Sequence, residues 1–232
     1  MKLLLYIFGV ALGVTILFQR LEWQWVAFRS GEDAYKRGEY LRAATFYERA
    51  AQKLDDPRLL GVLGQCWLML GRTADAEKVL ARMIERYPKQ LPAIKLLSGL
   101  YQQAKEPEKA IPLFARYSGA GGKLDSSAQL QLARIYRQAG RYEEAADFFL
   151  QADQDPTQKN ISNVELAEMR SWQGRYDQSI DLFQQVLRAD PANRQAKLGL
   201  ARALSWAGRY GESVEEYKRL LNNPSNSVPS KP

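Results

Sequence analysis

The sequence predicts an all-α solenoid of about six helix-turn-helix repeats preceded by one N-terminal transmembrane helix. First, a pattern of small residues on either side of a turn that usually contains glycine recurs six times. The turns are spaced by 33, 34, 35, 34 and 34 residues. A period of this length is typical of stacked helical repeats. Second, apolar and small residues within a unit follow the i, i+3, i+4, i+7 spacing of one helix face, as at Leu60, Leu63, Gly64 and Trp67. Third, the chain begins with a long apolar run that carries no charge.

The N-terminal run, residues 1–20, is interpreted as a transmembrane anchor. Its sixteen uncharged residues from Leu3 to Phe18 reach about 24 Å as a helix, slightly less than the roughly 30 Å hydrocarbon core. A cleaved secretory signal is the alternative, but the small-x-small pattern Ala11-Leu12-Gly13 lies inside the run. We therefore favour an uncleaved anchor. The residues expected to contact lipid are Leu3, Leu4, Leu5, Ile7, Phe8, Val10, Leu12, Val14, Ile16, Leu17 and Phe18.

Each repeat is predicted to consist of two helices joined by a tight turn. The turn usually contains glycine followed by a polar residue and an aromatic residue, and glycine readily adopts the left-handed conformation that ends a helix. The six turns begin at Gly38, Gly71, Lys105, Gly140, Gly174 and Gly208.

The residues around these turns resemble the tetratricopeptide-repeat family, whose unit is a helix-turn-helix of 34 residues. The small residues at the eighth position are Gly31, Gly64, Ser98, Ala133, Ala167 and Ala201. Those at the twentieth are Ala43, Ala76, Ala110, Ala145, Ser179 and Ser213. The large residues at the twenty-fourth are Tyr47, Leu80, Phe114, Phe149, Phe183 and Tyr217. The resemblance covers about Trp25 to Leu221 and implies a protein-binding scaffold without naming its partner.

The third repeat departs from this pattern and divides the domain. Lys105 replaces the turn glycine, Pro107 replaces the aromatic residue, and Pro112 falls early in the second helix. The segment from Ser118 to Gly122 is too glycine-rich for a helix, so we expect either a loose loop or a flexible joint there. The predicted organisation is repeats one to three at 21–118, a glycine-rich joint at 119–124, repeats four to six at 125–221, and a disordered polar tail at 222–232.

The composition argues against catalysis. The chain has no histidine and a single cysteine, Cys66, which removes the commonest general base and the usual zinc ligands. We therefore expect no enzyme activity, catalytic residue, cofactor, metal site or small-molecule substrate, and we expect Cys66 to be a small buried residue. The net charge of +7 is scattered among acidic residues, so we predict no nucleic-acid binding and interpret the excess as a solvated helical surface with a basic bias. Contact with anionic lipid head groups is the functional alternative.

The family resemblance implies that the first helices line a concave, ligand-binding face. Arg and Trp are enriched at binding hot spots. For the arginines the alternative is a solvated surface, and for the two tryptophans it is packing between the helices of their own repeats. The residues predicted to contact a partner are Lys95, Arg134, Arg137, Glu168, Trp172, Arg202 and Trp206.

The function we predict is that of a membrane-tethered adaptor that binds a partner protein in a membrane or envelope complex. The stretches Leu200–Tyr210 and Met169–Tyr176 look like repeats of bacterial envelope and exopolysaccharide-export proteins. A component of exopolysaccharide export or synthesis is therefore the alternative. We expect a single-pass protein of a bacterial inner membrane, with the repeat domain in the periplasm rather than the cytoplasm, although the charges flanking the anchor are nearly balanced.

Overall fold

The computed structural model describes residues 23–221, and this part of the chain is entirely helical apart from short turns. Residues 23–36 are helical and are labelled α1. The helices that follow are Tyr40–Ala51 (α2), Pro57–Met69 (α3), Thr73–Arg86 (α4), Leu91–Gln103 (α5), Pro107–Gly119 (α6), Ser126–Gln138 (α7), Tyr142–Ala152 (α8), Pro156–Trp172 (α9), Tyr176–Ala189 (α10), Arg194–Trp206 (α11) and Tyr210–Leu221 (α12). The predicted all-α class and the six helix-turn-helix pairs are confirmed.

The chain divides into two compact units between Gly122 and Lys123. The first unit contains α1 to α6 and the second contains α7 to α12. The second unit begins with a capped helix, because the Asp125 carboxylate accepts a hydrogen bond from the Ala128 backbone N–H at 2.6 Å. Such a cap satisfies a donor that the first turn of a helix leaves without a partner.

The six turns share one backbone conformation even where the residue type differs. The five turn glycines have φ between 70° and 77°, and Lys105 has φ of 61° in the third turn. A left-handed conformation is unfavourable for any residue that carries a Cβ atom. The helix-turn-helix geometry therefore overrides the preference of Lys105.

The sequence analysis predicted that the segment from Ser118 to Gly122 is not helical. This prediction is wrong for Ser118 and Gly119, because α6 continues through Gly119. The helix ends in a tight cap: Gly121 N–H donates to the Ser118 carbonyl at 2.9 Å, and Gly122 N–H donates to the Tyr117 carbonyl at 2.9 Å. A Cβ atom at Gly122 would lie 2.4 Å from the Tyr117 ring. Burial of that ring against Gly122 outweighs the roughly 1 kcal/mol by which glycine disfavours a helix.

The core of each unit forms where large residues of second helices meet small residues of first helices. Tyr47, Phe149 and Phe183 are almost completely buried, and they occupy the twenty-fourth position of their repeats. Cys66 is also fully buried, as expected. Burial raises the pKa of its thiol to about 11, because a thiolate would lose its hydration there.

The predicted anchor, residues 1–20, and the predicted tail, residues 222–232, fall outside the described residues. Between residues 23 and 221, every helix is too short or too polar to cross a membrane.

Candidate functional site

A groove in the second unit brings together four of the seven residues predicted to contact a partner. It has a volume of about 290 Å³ and runs between the first helices of the last two repeats, α9 and α11, with α10 behind them. The four predicted residues in its walls are Glu168, Trp172, Arg202 and Trp206. They meet because equivalent positions of successive repeats lie side by side when the repeats stack. The groove is completed by Ser171, Phe183, Gln195, Leu198 and Gly199.

Two tryptophans stand at one end of this groove. Trp172 is the last residue of α9 and Trp206 is the last residue of α11. Their exposed fractions are 62% and 51%. Neither indole is therefore packed between the helices of its own repeat. Exposed indoles of this size are unusual on a surface that contacts only water, and they offer large, rigid contact areas.

The floor of the groove depends on close contact between α10 and α11. A Cβ atom at Gly199 would lie 2.3 Å from the Phe183 ring, so only glycine lets the ring lie this close to α11. Behind it, the hydroxyls of Ser171 and Ser179 form a buried hydrogen bond of 2.6 Å between α9 and α10. Both contacts hold the helices that carry the tryptophans in place.

Some polar side chains of the groove have a partner within the described part of the chain, and one has no ion-pair partner there. The Gln195 side-chain amide donates a hydrogen bond to the Glu168 carboxylate at 3.0 Å. Arg202 is exposed, and it makes no ion pair with any residue in the range 23–221. The Arg202 guanidinium is therefore the cation that this groove offers to a ligand.

Arg134 and Arg137 are not free surface charges, because both pair with Glu165. The Glu165 side chain is only 12% exposed. It accepts hydrogen bonds from Arg134, one of them from Nε at 2.8 Å, and its second oxygen lies 3.3 Å from the Arg137 guanidinium. The Arg137 guanidinium in turn lies 5.6 Å from the centroid of a Trp172 ring. The two arginines thus form a cluster with Glu165 that reaches the groove through Trp172.

Glu165 is a site residue that the sequence analysis missed. It lies on α9, where the other repeats carry Arg29, Val62, Leu96, Gln131 and Gly199 at the equivalent position. A nearly buried carboxylate at such a position needs cationic partners. Its spacing of 31 residues from Arg134 is the signal that could have indicated the pair.

The remaining predicted contact residue, Lys95, lies in the first unit. It is half-buried on α5 and does not line the groove. Among residues 23–221, no three His, Cys, Asp or Glu side chains are grouped as they would be to hold a metal ion.

Comparison with known families identifies the repeat. Residues 34–101 and 173–228 match one family model described as tetratricopeptide repeat, and residues 98–159 match a second with the same description. The two segments of the first match cover more than half of the chain. A comparison with curated proteins finds no match.

Several solved structures share the fold at low sequence identity. A tetratricopeptide repeat protein from Parabacteroides merdae is 18% identical with a TM-score of 0.69, and the match covers 86% of this chain and 79% of that one. PilW, a type IV pilus biogenesis factor, is 13% identical with a TM-score of 0.65, covering 88% and 94%. YrrB, described as having an unusual peptide-binding site, is 12% identical with a TM-score of 0.63, covering 78% and 93%.

Proposed function

The chain belongs to the tetratricopeptide repeat family, and from this premise we propose that it is a non-catalytic, membrane-tethered adaptor whose groove docks a partner protein. The observation that carries this proposal is the placement of two exposed indoles, Trp172 and Trp206, in one groove with the unpaired Arg202. Tryptophan and arginine contribute most often to binding hot spots. Their convergence favours the groove over other surfaces of the second unit as the docking site.

The mechanism is passive recognition by a preformed surface. The close contact of Phe183 with Gly199 holds α10 against α11, and the Ser171–Ser179 hydrogen bond holds α9 against α10. The ion cluster around Glu165 holds α9 against α7, so the helices are in register before a ligand arrives. A preformed site loses less conformational entropy on binding than a mobile one. The partner segment then packs apolar groups against the indoles and places an acceptor or carboxylate on Arg202.

Tethering would confine this groove to the membrane surface. The proposed tether is residues 1–20, which contain the uncharged run from Leu3 to Phe18, in a bacterial inner membrane with the repeats in the periplasm. Confinement raises the effective concentration of the groove for partners in the same membrane, so a membrane or envelope complex is the proposed destination. Protease added to spheroplasts should digest the repeats if they are periplasmic. Digestion only after lysis of the spheroplasts would place the repeats in the cytoplasm and overturn this orientation.

Site-specific photocrosslinking tests the docking site. A photoreactive phenylalanine replaces Trp172 or Trp206 in separate full-length variants, and Leu150, an exposed residue on α8, is the matched control position. We expect both groove positions to crosslink to the same protein, and we expect Arg202→Ala to reduce that product. Equal yields at position 150, or no product from the groove positions, would overturn the proposal.

A second candidate function is polysaccharide binding, which one feature of the groove favours. Trp172 and Trp206 expose flat indole faces beside the polar side chains of Glu168, Gln195 and Arg202. Aromatic faces can stack on sugar rings while planar polar groups bind the hydroxyls. Replacing both tryptophans with alanine should abolish polymer retention in affinity electrophoresis and leave the helical circular dichroism unchanged. Unchanged retention would eliminate this candidate.

A further inference from the structure

The two tryptophans of the groove differ in what restrains their side chains. Trp172 lies beside Arg137 of α7, whose guanidinium is 5.6 Å from the centroid of an indole ring. A cation within about 6 Å of such a centroid is attracted to the negative face of the ring. Among residues 23–221, neither a cation nor a second aromatic ring makes an equivalent contact with Trp206. One indole of the groove is therefore restrained in a way that the other is not.

This difference follows from the residue that the preceding repeat supplies to each indole. Arg137 precedes Trp172 by 35 residues, and Ser171 precedes Trp206 by the same number. The two pairs therefore occupy matching positions in successive repeats. Ser171 is uncharged, and its hydroxyl is already hydrogen-bonded to that of Ser179 at 2.6 Å. It cannot hold an indole as a guanidinium does.

Arg137 is itself held by two neighbours that are buried or nearly buried. Its guanidinium lies 3.3 Å from a carboxylate oxygen of Glu165 and 5.8 Å from the ring centroid of Phe149. Phe149 is fully buried, and the Arg137 side chain is only 22% exposed. Because the arginine is ordered by the core of the fourth repeat, it can in turn order the exposed Trp172.

The hydrogen bonding of Arg137 also indicates that ion pairing is not its whole role. Its Nη1 atom is buried and has no hydrogen-bond acceptor in the described part of the chain. A buried donor without an acceptor is costly unless other interactions compensate for it. The faces of the Phe149 and Trp172 rings carry partial negative charge, so they favour the guanidinium where hydrogen bonds do not.

We propose that Arg137 is a positioning residue for Trp172, which makes Trp172 a preformed contact of the groove and leaves Trp206 an adaptable one. The effect of this restraint on binding rests on the docking function proposed above, whereas the restraint itself does not. A partner that meets an ordered indole does not have to order it. Ordering one large side chain on binding weakens affinity by about two- to tenfold.

Fluorine NMR of the full-length chain, labelled with 5-fluorotryptophan in detergent, tests the restraint. Trp172→Phe and Trp206→Phe assign the two signals. We expect a broader line for Trp172 than for Trp206, because a restrained indole tumbles with the whole protein. In Arg137→Met the Trp172 line should narrow to about the width of the Trp206 line, which should not change. Equal widths in the natural chain, no narrowing in Arg137→Met, or narrowing of both lines would each overturn the proposal.

Arg141→Met is the matched control. Arg141 also lies over an aromatic ring, 4.7 Å from the Tyr136 centroid, and it pairs with Glu144 at 2.8 Å. It does not line the groove. The control removes the same kind of side chain and should leave both tryptophan lines unchanged. If it narrowed the Trp172 line as much as Arg137→Met does, the effect would not belong to Arg137 and the proposal would fail.

Photocrosslinking from position 206 tests the consequence for binding. With a photoreactive phenylalanine there, Arg137→Met should lower the yield of crosslinked partner about two- to tenfold, and Arg141→Met should leave it unchanged. An unchanged yield in Arg137→Met would overturn the positioning role in docking. If the fluorine lines behave as expected but the natural groove crosslinks no partner, the docking function fails while the restraint on Trp172 stands.

Discussion

Gly199 of α11 lies against the ring of Phe183 of α10 so closely that a Cβ atom at residue 199 would stand 2.3 Å from the ring. The ring is buried, and it also forms part of the groove wall. One contact thus joins the fifth repeat to the sixth and sets the depth of the proposed docking site.

Gly199→Ala should therefore destabilise the protein. The added methyl group has to displace Phe183 or α11, and overpacking of this kind costs about 1–3 kcal/mol. The measurement is the free energy of unfolding in urea. A second readout is the yield of crosslinked partner from a photoreactive phenylalanine at position 206. Gly211→Ala is the control, because nothing lies within 4 Å of a Cβ atom at that helical position. Equal stability of Gly199→Ala and the natural chain would contradict this account of the contact.

Glu165→Gln should destabilise the second unit by about 1–3 kcal/mol, less than the roughly 3–5 kcal/mol expected for a fully buried pair. The substitution removes the charge that Arg134 and Arg137 share while it preserves the side-chain shape. Chemical denaturation of this variant should be compared with Glu144→Gln, which breaks the exposed pair with Arg141 and should cost less than about 1 kcal/mol. Equal losses in the two variants would show that the Glu165 cluster contributes no more than a surface ion pair.

Lys105→Gly should stabilise the first unit. Lys105 holds φ at 61°, which costs a residue with a Cβ atom about 1–2 kcal/mol relative to glycine. The reciprocal change, Gly140→Lys, should lower stability by a similar amount, because Gly140 has φ of 76° and open space around it. Thermal unfolding of the two variants measures both effects. A loss of stability in Lys105→Gly would mean that the lysine side chain makes a contribution larger than the backbone strain.

The Cys66 thiol should be protonated and unreactive at neutral pH, because burial raises its pKa to about 11. In the unfolded chain the thiol titrates near its ordinary value of about 8.5. Its contribution to stability is therefore complete below about pH 8.5 and is lost as the pH rises towards 11. The loss should be about 3 kcal/mol.

Comparing the natural chain with Cys66→Ala at pH 8 and pH 11 isolates this contribution, since other titrating groups are common to both. The free-energy gap between the two proteins should narrow at the higher pH. Rapid reaction of the native thiol with a disulfide reagent at pH 7, or a gap that does not change with pH, would contradict the assignment.

Much of the fold, and the composition of the groove, follow from periodicity. A spacing of about 34 residues predicted which side chains recur on the same helix face, so Glu168 with Arg202 and Trp172 with Trp206 could be assigned to one surface. The turns could be placed for the same reason, including the one at Lys105. In each case the information is local, because a helix face and a turn are set by residues that are close in the chain.

Other features depend on neighbours that are distant in the chain, and only the tertiary structure decided them. The sequence offered Arg134 and Arg137 as surface contacts, but stacking of α7 on α9 brings Glu165 to them. It predicted Ser118 and Gly119 to be loop residues, but packing of the Tyr117 ring against Gly122 extends α6 to Gly119.

The sequence by itself thus determined the helices, their repeat and the face that each side chain occupies. The structure decided which faces are covered. Phe183 is buried against Gly199, whereas Tyr217, at the same position of the next repeat, is exposed on α12. The physical reason is that burial and ion pairing are properties of the packed neighbour. A sequence repeat predicts which residue faces an adjacent helix, but only the packed structure shows whether an adjacent helix covers that residue.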